Sequence, residues 1–237
     1  MKKIDIVLPC YNPPLNWVKN IETNSKAICS NFANYNINFF IINDGSPSIN
    51  LQEVEQLKQL DFIHWHQYKE NRGKGFALRQ GVVMTTADIV IYTDIDFPYE
   101  LESMLSIINT LIESENDIVV GVRPNSYYKK VPWARLIISK ILRFFIKFFI
   151  RIKITDTQCG IKGFNKLGRA VFLQTTIDRY LFDLEFIFLA SQKKELRLKP
   201  VEVHLKPNIL FRTMDYRILL TEGKNFFKVL LKSFFQK

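Results

Sequence analysis

The sequence predicts an α/β fold, a mostly parallel sheet flanked by helices, on three observations. Short β-rich runs alternate with polar, helix-compatible stretches through the first half of the chain. Each run ends in turn chemistry. The chain is also long enough, at 237 residues with 47% hydrophobic content, to fill one large core.

The elements follow in order. Ile4 to Leu8 leads into Pro9-Cys10-Tyr11-Asn12-Pro13-Pro14, and Phe39 to Ile42 leads into Asn43-Asp44-Gly45-Ser46-Pro47. Phe62 to Tyr68 precedes Asn71-Arg72-Gly73-Lys74-Gly75 and a helix. Ile89 to Thr93 precedes Asp94-Ile95-Asp96-Phe97-Pro98, and Ile118 to Val122, ending at Arg123, is a fifth strand. Ligands of open α/β sheets sit outside the carboxyl ends of the strands, so four polar clusters at such ends predict a site along one rim. No internal repeat or low-complexity tract interrupts the chain. Composition shifts after about Pro124 toward long aromatic and basic segments, read here as an elaboration of one domain.

Leu136 to Ile152 is too interrupted by charge to span a bilayer, for which roughly 20 mostly apolar residues are needed. At about 100° per residue, Lys140, Arg143, Lys147 and Arg151 share one side of a helix and leave a wide face to Ile, Leu and Phe. The tail repeats this profile, with Arg217, Lys224, Lys228 and Lys232 on one side and Phe226, Phe227, Leu230 and Leu231 among the apolar residues elsewhere. Such amphipathic helices suit a membrane interface, and equally a buried face against the core or a second subunit.

A net charge of +10 and 14% aromatic residues call for an anionic partner, and charge alone does not choose among nucleic acid, phosphorylated ligands and acidic lipid. Cys10, Cys29 and Cys159 lie far apart, without the spacing of a zinc site or a disulfide framework, which fits a reducing compartment. The start, Met1-Lys2-Lys3-Ile4-Asp5, runs straight into a strand without the pattern of a signal peptide, so a cytoplasmic location is expected.

Asp94 and Asp96, two apart at the end of a strand, can approach one cation in the all-oxygen environment that Mg²⁺ or Mn²⁺ requires. Such an ion acts as Lewis acid and template on a diphosphate. A dinucleotide fingerprint is excluded, because Leu78 stands where the third glycine would be and the first turn has no glycine. His64 and His66 share one face of a strand without a third ligand, and Cys159 lacks an activating His motif; both read as structural.

Taken together, Leu8-Pro9-Cys10-Tyr11-Asn12, Asn43-Asp44-Gly45-Ser46, Asn71-Arg72-Gly73-Lys74-Gly75 and Thr93-Asp94-Ile95-Asp96 resemble the family 2 inverting glycosyltransferases of GT-A (Rossmann-like) fold, over roughly the first 125 residues. A second set narrows the branch: Gly121-Val122-Arg123, Arg135 with Ser139, Asp156-Thr157-Gln158-Cys159-Gly160-Ile161-Lys162-Gly163-Phe164, and Phe182-Asp183-Leu184-Glu185. It is similar to the dolichyl-phosphate mannose or glucose synthases and their bacterial polyprenyl-phosphate relatives.

The resemblance implies one GT-A domain over residues 1–237. Its nucleotide-sugar-binding half would be 1–125, its acceptor-binding half 126–216 and its amphipathic C-terminal helix 217–237. Pro9, Tyr11, Asn12 and Asp44 would line the nucleoside pocket of a UDP- or GDP-sugar, Lys74 would lie near base or phosphates, and Asp94 and Asp96 would hold the metal. Arg123, Arg135 and Ser139 would grip the phosphate of a polyprenyl phosphate, since guanidinium forks suit phosphate oxygens. Asp96, Arg123 and Arg135 are the residues expected to act on the reaction, with Asp156, Gln158 and Glu185 facing sugar or acceptor.

A phosphate monoester, with its second pKa at about 6, is already a nucleophilic dianion at neutral pH. A saccharide hydroxyl, the rival acceptor, would need a carboxylate base, for which Asp156, Asp183 and Glu185 are the candidates. Two departures from the pattern are Pro13 after the Tyr-Asn pair and Pro98 two beyond the second aspartate. The bacterial relatives often carry C-terminal transmembrane hairpins. Here peripheral attachment to the cytoplasmic face, a separate membrane-protein partner or a homo-oligomer would take their place. A non-catalytic basic module binding membrane or nucleic acid would account for the charge and leave the paired aspartates unexplained, so nucleic acid is not expected as a partner.

Overall fold

A computed structural model of the chain describes residues 1–113, 115–129, 133–150, 152, 154, 156–207 and 216–235. The five expected strands form as β1 (Lys3–Cys10), β2 (Asn36–Asp44), β3 (Ile63–Tyr68), β4 (Ile89–Tyr92) and β5 (Ile118–Val122). Between them run α1 (Trp17–Asn31), α2 (Leu51–Lys58), α3 (Lys74–Met84) and α4 (Leu101–Glu113). Helix α2 starts where Asn50 accepts the N–H of Gln52. Beyond β5 come a 3₁₀ turn (Asn125–Lys129), α5 (Trp133–Phe145) with a π-helical continuation (Ile146–Ile150), β6 (Lys162–Asn165), α6 (Lys166–Phe172), α7 (Phe182–Ser191), β7 (Leu198–Glu202) and α8 (Tyr216–Phe235).

The seven strands lie in the order β3-β2-β1-β4-β6-β5-β7. All pairings are parallel except those of β6, which runs antiparallel between β4 and β5. The sheet is therefore mostly parallel and covered on both faces, as α/β crossovers require.

On one face α1, α2 and α4 bury Trp17, Ile21, Ile28, Leu57, Ile107 and Ile108 against Ile4, Ile6, Phe39 and Ile91. The other face is rich in aromatic residues. There Tyr92, Phe164, Phe172, Phe182 and Phe186 meet at ring separations of 5.1–6.3 Å. Helix α3 packs so closely on this face that a Cβ at Gly81 would lie 2.3 Å from Val7.

The two amphipathic segments are partly buried. Helix α8 docks Val229 and Ser233 into the core, and Phe226 meets Phe145 of α5 edge-on at 5.8 Å. Helix α5 and its continuation leave Trp133, Ile137, Ile141, Phe144 and Phe148 between 46 and 76% exposed. Their i, i+4 and i+3 spacing makes one stripe, with Phe144 and Phe148 stacked at 5.9 Å. Lys140 and Lys147 are exposed beside it, while Arg143 places its guanidinium 4.0 Å from the centre of the Tyr128 ring. Arg151 lies outside the described residues. Among the described residues no helix is long and apolar enough to cross a membrane.

Candidate active site

The carboxyl ends of β1, β2 and β4 and the start of α3 form the rim. The turns after β1 and β2 are tied together where the Asn12 N–H donates to Ser46 Oγ at 2.9 Å and the Ser46 N–H to Asn43 Oδ1 at 3.1 Å. Asn12 adopts the left-handed region, with φ 45°, and Tyr11 beside it is exposed. Pro9 lies one residue before the strand end, opposite Ile42. Burial raises the Cys10 thiol to about 12, with a hydrogen bond to Ser46 working the other way, so this thiol stays protonated.

Asp44, expected to accept from a base edge, turns its carboxylate inward. Oδ1 accepts from the Tyr68 hydroxyl at 2.7 Å and the Arg72 N–H at 2.8 Å; Oδ2 accepts from Asn71 Nδ2 at 2.9 Å and the Gly73 N–H at 2.8 Å. A carboxylate that accepts from four donors is a strong local anchor. Asp44 thus fixes the loop that launches α3, and with it Lys74.

Lys74 is the first residue of α3, and its ammonium donates to Asp94 Oδ1 at 2.5 Å. Burial alone would depress this lysine; the charges of Asp94 and Asp183 and the hydrogen bond to Asp94 outweigh it and hold it above the ordinary range. Asp94 and Asp96 occupy a turn closed by the Phe97 N–H on the Asp94 carbonyl at 3.0 Å, with Phe97 in the left-handed region. The segment after β7 braces this turn, Lys206 N–H donating to the Pro98 carbonyl and Glu100 N–H to that of His204, each at 2.9 Å. Asp96 is exposed on the outer side of the turn, close enough to Lys206 for their charges to interact.

The 156–160 loop closes the site from the other side. A Cβ on Gly160 would lie 2.5 Å from Asp94 Oδ2, so a bare glycine is what lets loop and carboxylate meet. The loop is held by the Gly160 N–H donating to Tyr99 Oη at 2.7 Å and by Lys162 Nζ donating to the Cys159 carbonyl at 2.7 Å. Lys162 is fully buried; its ammonium also donates to Asp183 Oδ1, which accepts from Tyr92 Oη at 2.6 Å. The sequence singles out Lys162 only as part of the motif from Asp156 to Phe164, and gives Tyr92 and Tyr99 no role, because their partners are far away along the chain.

Arg123 and Asp156, both expected at the acceptor, are joined to each other. Arg123 Nε and its backbone N–H donate to Asp156 Oδ2 at 3.0 and 2.8 Å, and NH2 to Oδ1 at 2.5 Å. NH1 reaches the Tyr127 hydroxyl at 3.2 Å. Burial would raise Asp156, but the Arg123 fork holds it below the ordinary carboxylate range. Gln158 sits in the same loop with its Nε2 buried and without a hydrogen-bond partner among the described residues. Ser139 lies half-buried on α5; the Arg135 side chain lies outside what the structure describes.

Glu185, also expected at the acceptor, is turned into the fold. Its side chain is 1% exposed and accepts from Thr176 N–H (2.7 Å), Ile177 N–H (2.8 Å), Thr176 Oγ1 (2.9 Å) and Lys232 Nζ of α8 (2.5 Å). It clamps the 176–177 turn and the last helix together.

Asp94, half-buried with Oδ1 on Lys74, and Asp96, exposed, lie on one turn, and both are oxygen donors of the kind a hard divalent cation takes. Among the described residues there is no group of three or more His, Cys, Asp or Glu side chains that could hold a metal. A cation here would complete its shell from a diphosphate and water, as Mg²⁺ does beside phosphates.

The fold is that of the GT-A glycosyltransferases, with Asp94, Lys74 and Gly160 brought together at the sheet rim. The chain belongs to glycosyl transferase family 2, whose profile matches residues 5–167. It is 25% identical over 215 residues to a dolichyl-phosphate beta-glucosyltransferase of Dictyostelium discoideum, covering 85% of this chain and 65% of that protein. To the enzyme of that name from Drosophila melanogaster it is 26% identical, covering 68% and 53%. The chain thus spans between about half and two thirds of these relatives' length.

Many solved structures share the fold, two phosphoglycerate glycosyltransferases among them. Glucosyl-3-phosphoglycerate synthase of Mycobacterium tuberculosis, in complex with Mn²⁺, UDP-glucose and phosphoglyceric acid, superposes with a TM-score of 0.69 at 14% identity, covering 98% of this chain and 79% of that one. Mannosyl-3-phosphoglycerate synthase of Rubrobacter xylanophilus gives 0.71 at 13% identity, covering 99% and 74%.

Proposed function

We propose that this chain transfers a hexose, with glucose from UDP-glucose the first choice, to a polyprenyl phosphate at a membrane surface, with inversion. The observation that carries the reading is the meeting of Asp94, Lys74 and Gly160 at the sheet rim, beside the Arg123–Asp156 pair. The names of the relatives support the lipid phosphate acceptor, and a UDP-glucose complex of a structural neighbour supports the donor.

Asp94 and Asp96 would hold Mg²⁺ or Mn²⁺, which when bound neutralises charge on the diphosphate leaving group. Pro9, Tyr11 and Asn12 would border the nucleoside, and Asp44 would support it by fixing the 71–73 loop beneath. A phosphate oxygen of the acceptor attacks the anomeric carbon as the bond from that carbon to the diphosphate oxygen breaks, and the electron pair leaves with the nucleoside diphosphate. The dianionic phosphate needs no base. That agrees with a site in which Asp156 is bound to Arg123, Asp183 to Lys162 and Glu185 to Lys232. Arg123, Arg135 and Ser139 would face the acceptor phosphate, with Gln158 free to donate.

The exposed stripe from Trp133 to Phe148, flanked by Lys140 and Lys147, suits insertion into the headgroup boundary of a cytoplasmic leaflet. Phe227 and Leu231 of α8 add a second exposed pair.

The test is incubation with UDP-[¹⁴C]glucose, Mn²⁺ and vesicles containing polyprenyl phosphate, followed by organic extraction. Label should enter the lipid phase with wild type and fall at least about 100-fold with Asp96→Ala. Label appearing only in aqueous polymer would select the saccharide-hydroxyl reading. Phe144→Asp with Phe148→Asp should abolish co-flotation with anionic vesicles.

A further inference from the structure

Lys74 occupies a costly position. It is the first residue of α3, where the helix dipole presents its positive end and disfavours a cation. Its side chain is only 19% exposed. What holds it is anionic: Asp94 Oδ1 at 2.5 Å, with the Asp183 carboxylate in electrostatic reach. Asp183 is already bound to Lys162 and Tyr92, so Asp94 is the partner that Lys74 can exchange. Resting on the reading of Asp94 as a metal ligand, we propose that Lys74 is a tethered cation that competes with the divalent metal for Asp94 and is drawn off by the donor diphosphate.

Two cations cannot share one carboxylate oxygen at contact distance without strong mutual repulsion. A metal arriving alone on the other oxygen, Oδ2, would still share this carboxylate with the ammonium on Oδ1, so each cation weakens the other's hold, and among the described residues Lys74 has no equivalent carboxylate free of another cation to move to. A diphosphate arriving with it supplies that anion at the N-terminus of α3, where phosphate oxygens are also favoured. Lys74 then neutralises diphosphate instead of Asp94, and metal and nucleotide bind as a pair. By linkage each raises the other's affinity by the same factor.

Mn²⁺ binding followed by electron paramagnetic resonance, with and without UDP, tests this in the whole chain. Wild type should bind Mn²⁺ weakly alone and at least about tenfold more tightly with UDP. Lys74→Met should bind Mn²⁺ alone at least about fivefold more tightly than wild type, bind UDP less tightly and lose most of the coupling. Lys74→Gln, which keeps a polar donor, should behave likewise. Unchanged or weaker Mn²⁺ binding by both folded variants, with Asp94→Asn abolishing it, would overturn the competition and leave the metal site standing. Asp94→Asn binding Mn²⁺ as wild type does would overturn the metal site itself, and the competition with it. Should neither Lys74 variant fold, the Lys74 ¹³Cε resonance of wild type decides: it must shift when Mg²⁺ and UDP are added together, and constancy at saturation refutes the exchange.

Discussion

Gly160→Ala isolates the contact on which the site depends. The added methyl carbon would stand 2.5 Å from Asp94 Oδ2 and 3.3 Å from the Tyr99 hydroxyl. To restore an ordinary contact the carboxylate must retreat by about 0.5–0.9 Å, toward the side where Lys74 already holds Oδ1. Gly160 does not occupy the left-handed region, so alanine adds no backbone strain. A shift approaching 1 Å in a positioning group costs on the order of 100-fold in rate. The expectation is therefore a 10- to 100-fold fall in turnover, roughly 1.4–2.7 kcal/mol in the barrier, with thermal stability lowered by less than about 1 kcal/mol. Lipid-extract labelling at saturating donor gives the rate, and a thermal melt gives the stability. A variant that melts normally and works within twofold of wild type would refute the placement of Asp94 at the reaction.

Two further outcomes follow from the buried pairs. Asp156→Asn leaves the Arg123 guanidinium largely buried without its carboxylate and should cost about 3 kcal/mol in urea unfolding, well beyond a surface pair. Glu185→Gln should cost about 2 kcal/mol at pH 7 by loosening α8. Burial acts to raise Glu185, but the bonds from Lys232, Ile177 and Thr176 win and depress it, so its contribution is present above the unfolded value of about 4.3 and is lost as pH falls through the native one. The gap between wild type and Glu185→Gln should accordingly close below about pH 4, and a gap that widens there would contradict the clamp.

The first five strands and their turns were legible because their signals are local: apolar runs of β period, each ending in Gly, Asn, Asp or Pro. The same locality picked out Asp94, Asp96 and Lys74. Strand β6 was not legible, since Lys162–Asn165 is four residues long and earns its place only through partners on β4 and β5 far away in sequence. Strand β7 carries Pro200 and leaves Lys199, Pro200 and Glu202 exposed, as an edge strand tolerates. Which way a carboxylate turns was equally hidden. Asp44 and Glu185 read as ligand groups, yet each meets a cluster of backbone donors that exists only after the chain has closed around it. The apolar face of α5 was read as interfacial from its pattern, and the structure leaves its stripe exposed while α8 spends part of its own on the core.

The antiparallel strand has a consequence for how the molecule is made. Strand β5 finds neighbours only in β6 and β7, so a nascent chain that has reached residue 125 holds a four-stranded fragment and one unpaired strand. The loop that meets Asp94 immediately precedes β6 and is pinned through Lys162 within it. The rim therefore completes only once β6 has emerged, and a product truncated before residue 165 would lack the full strand that joins β4 to β5.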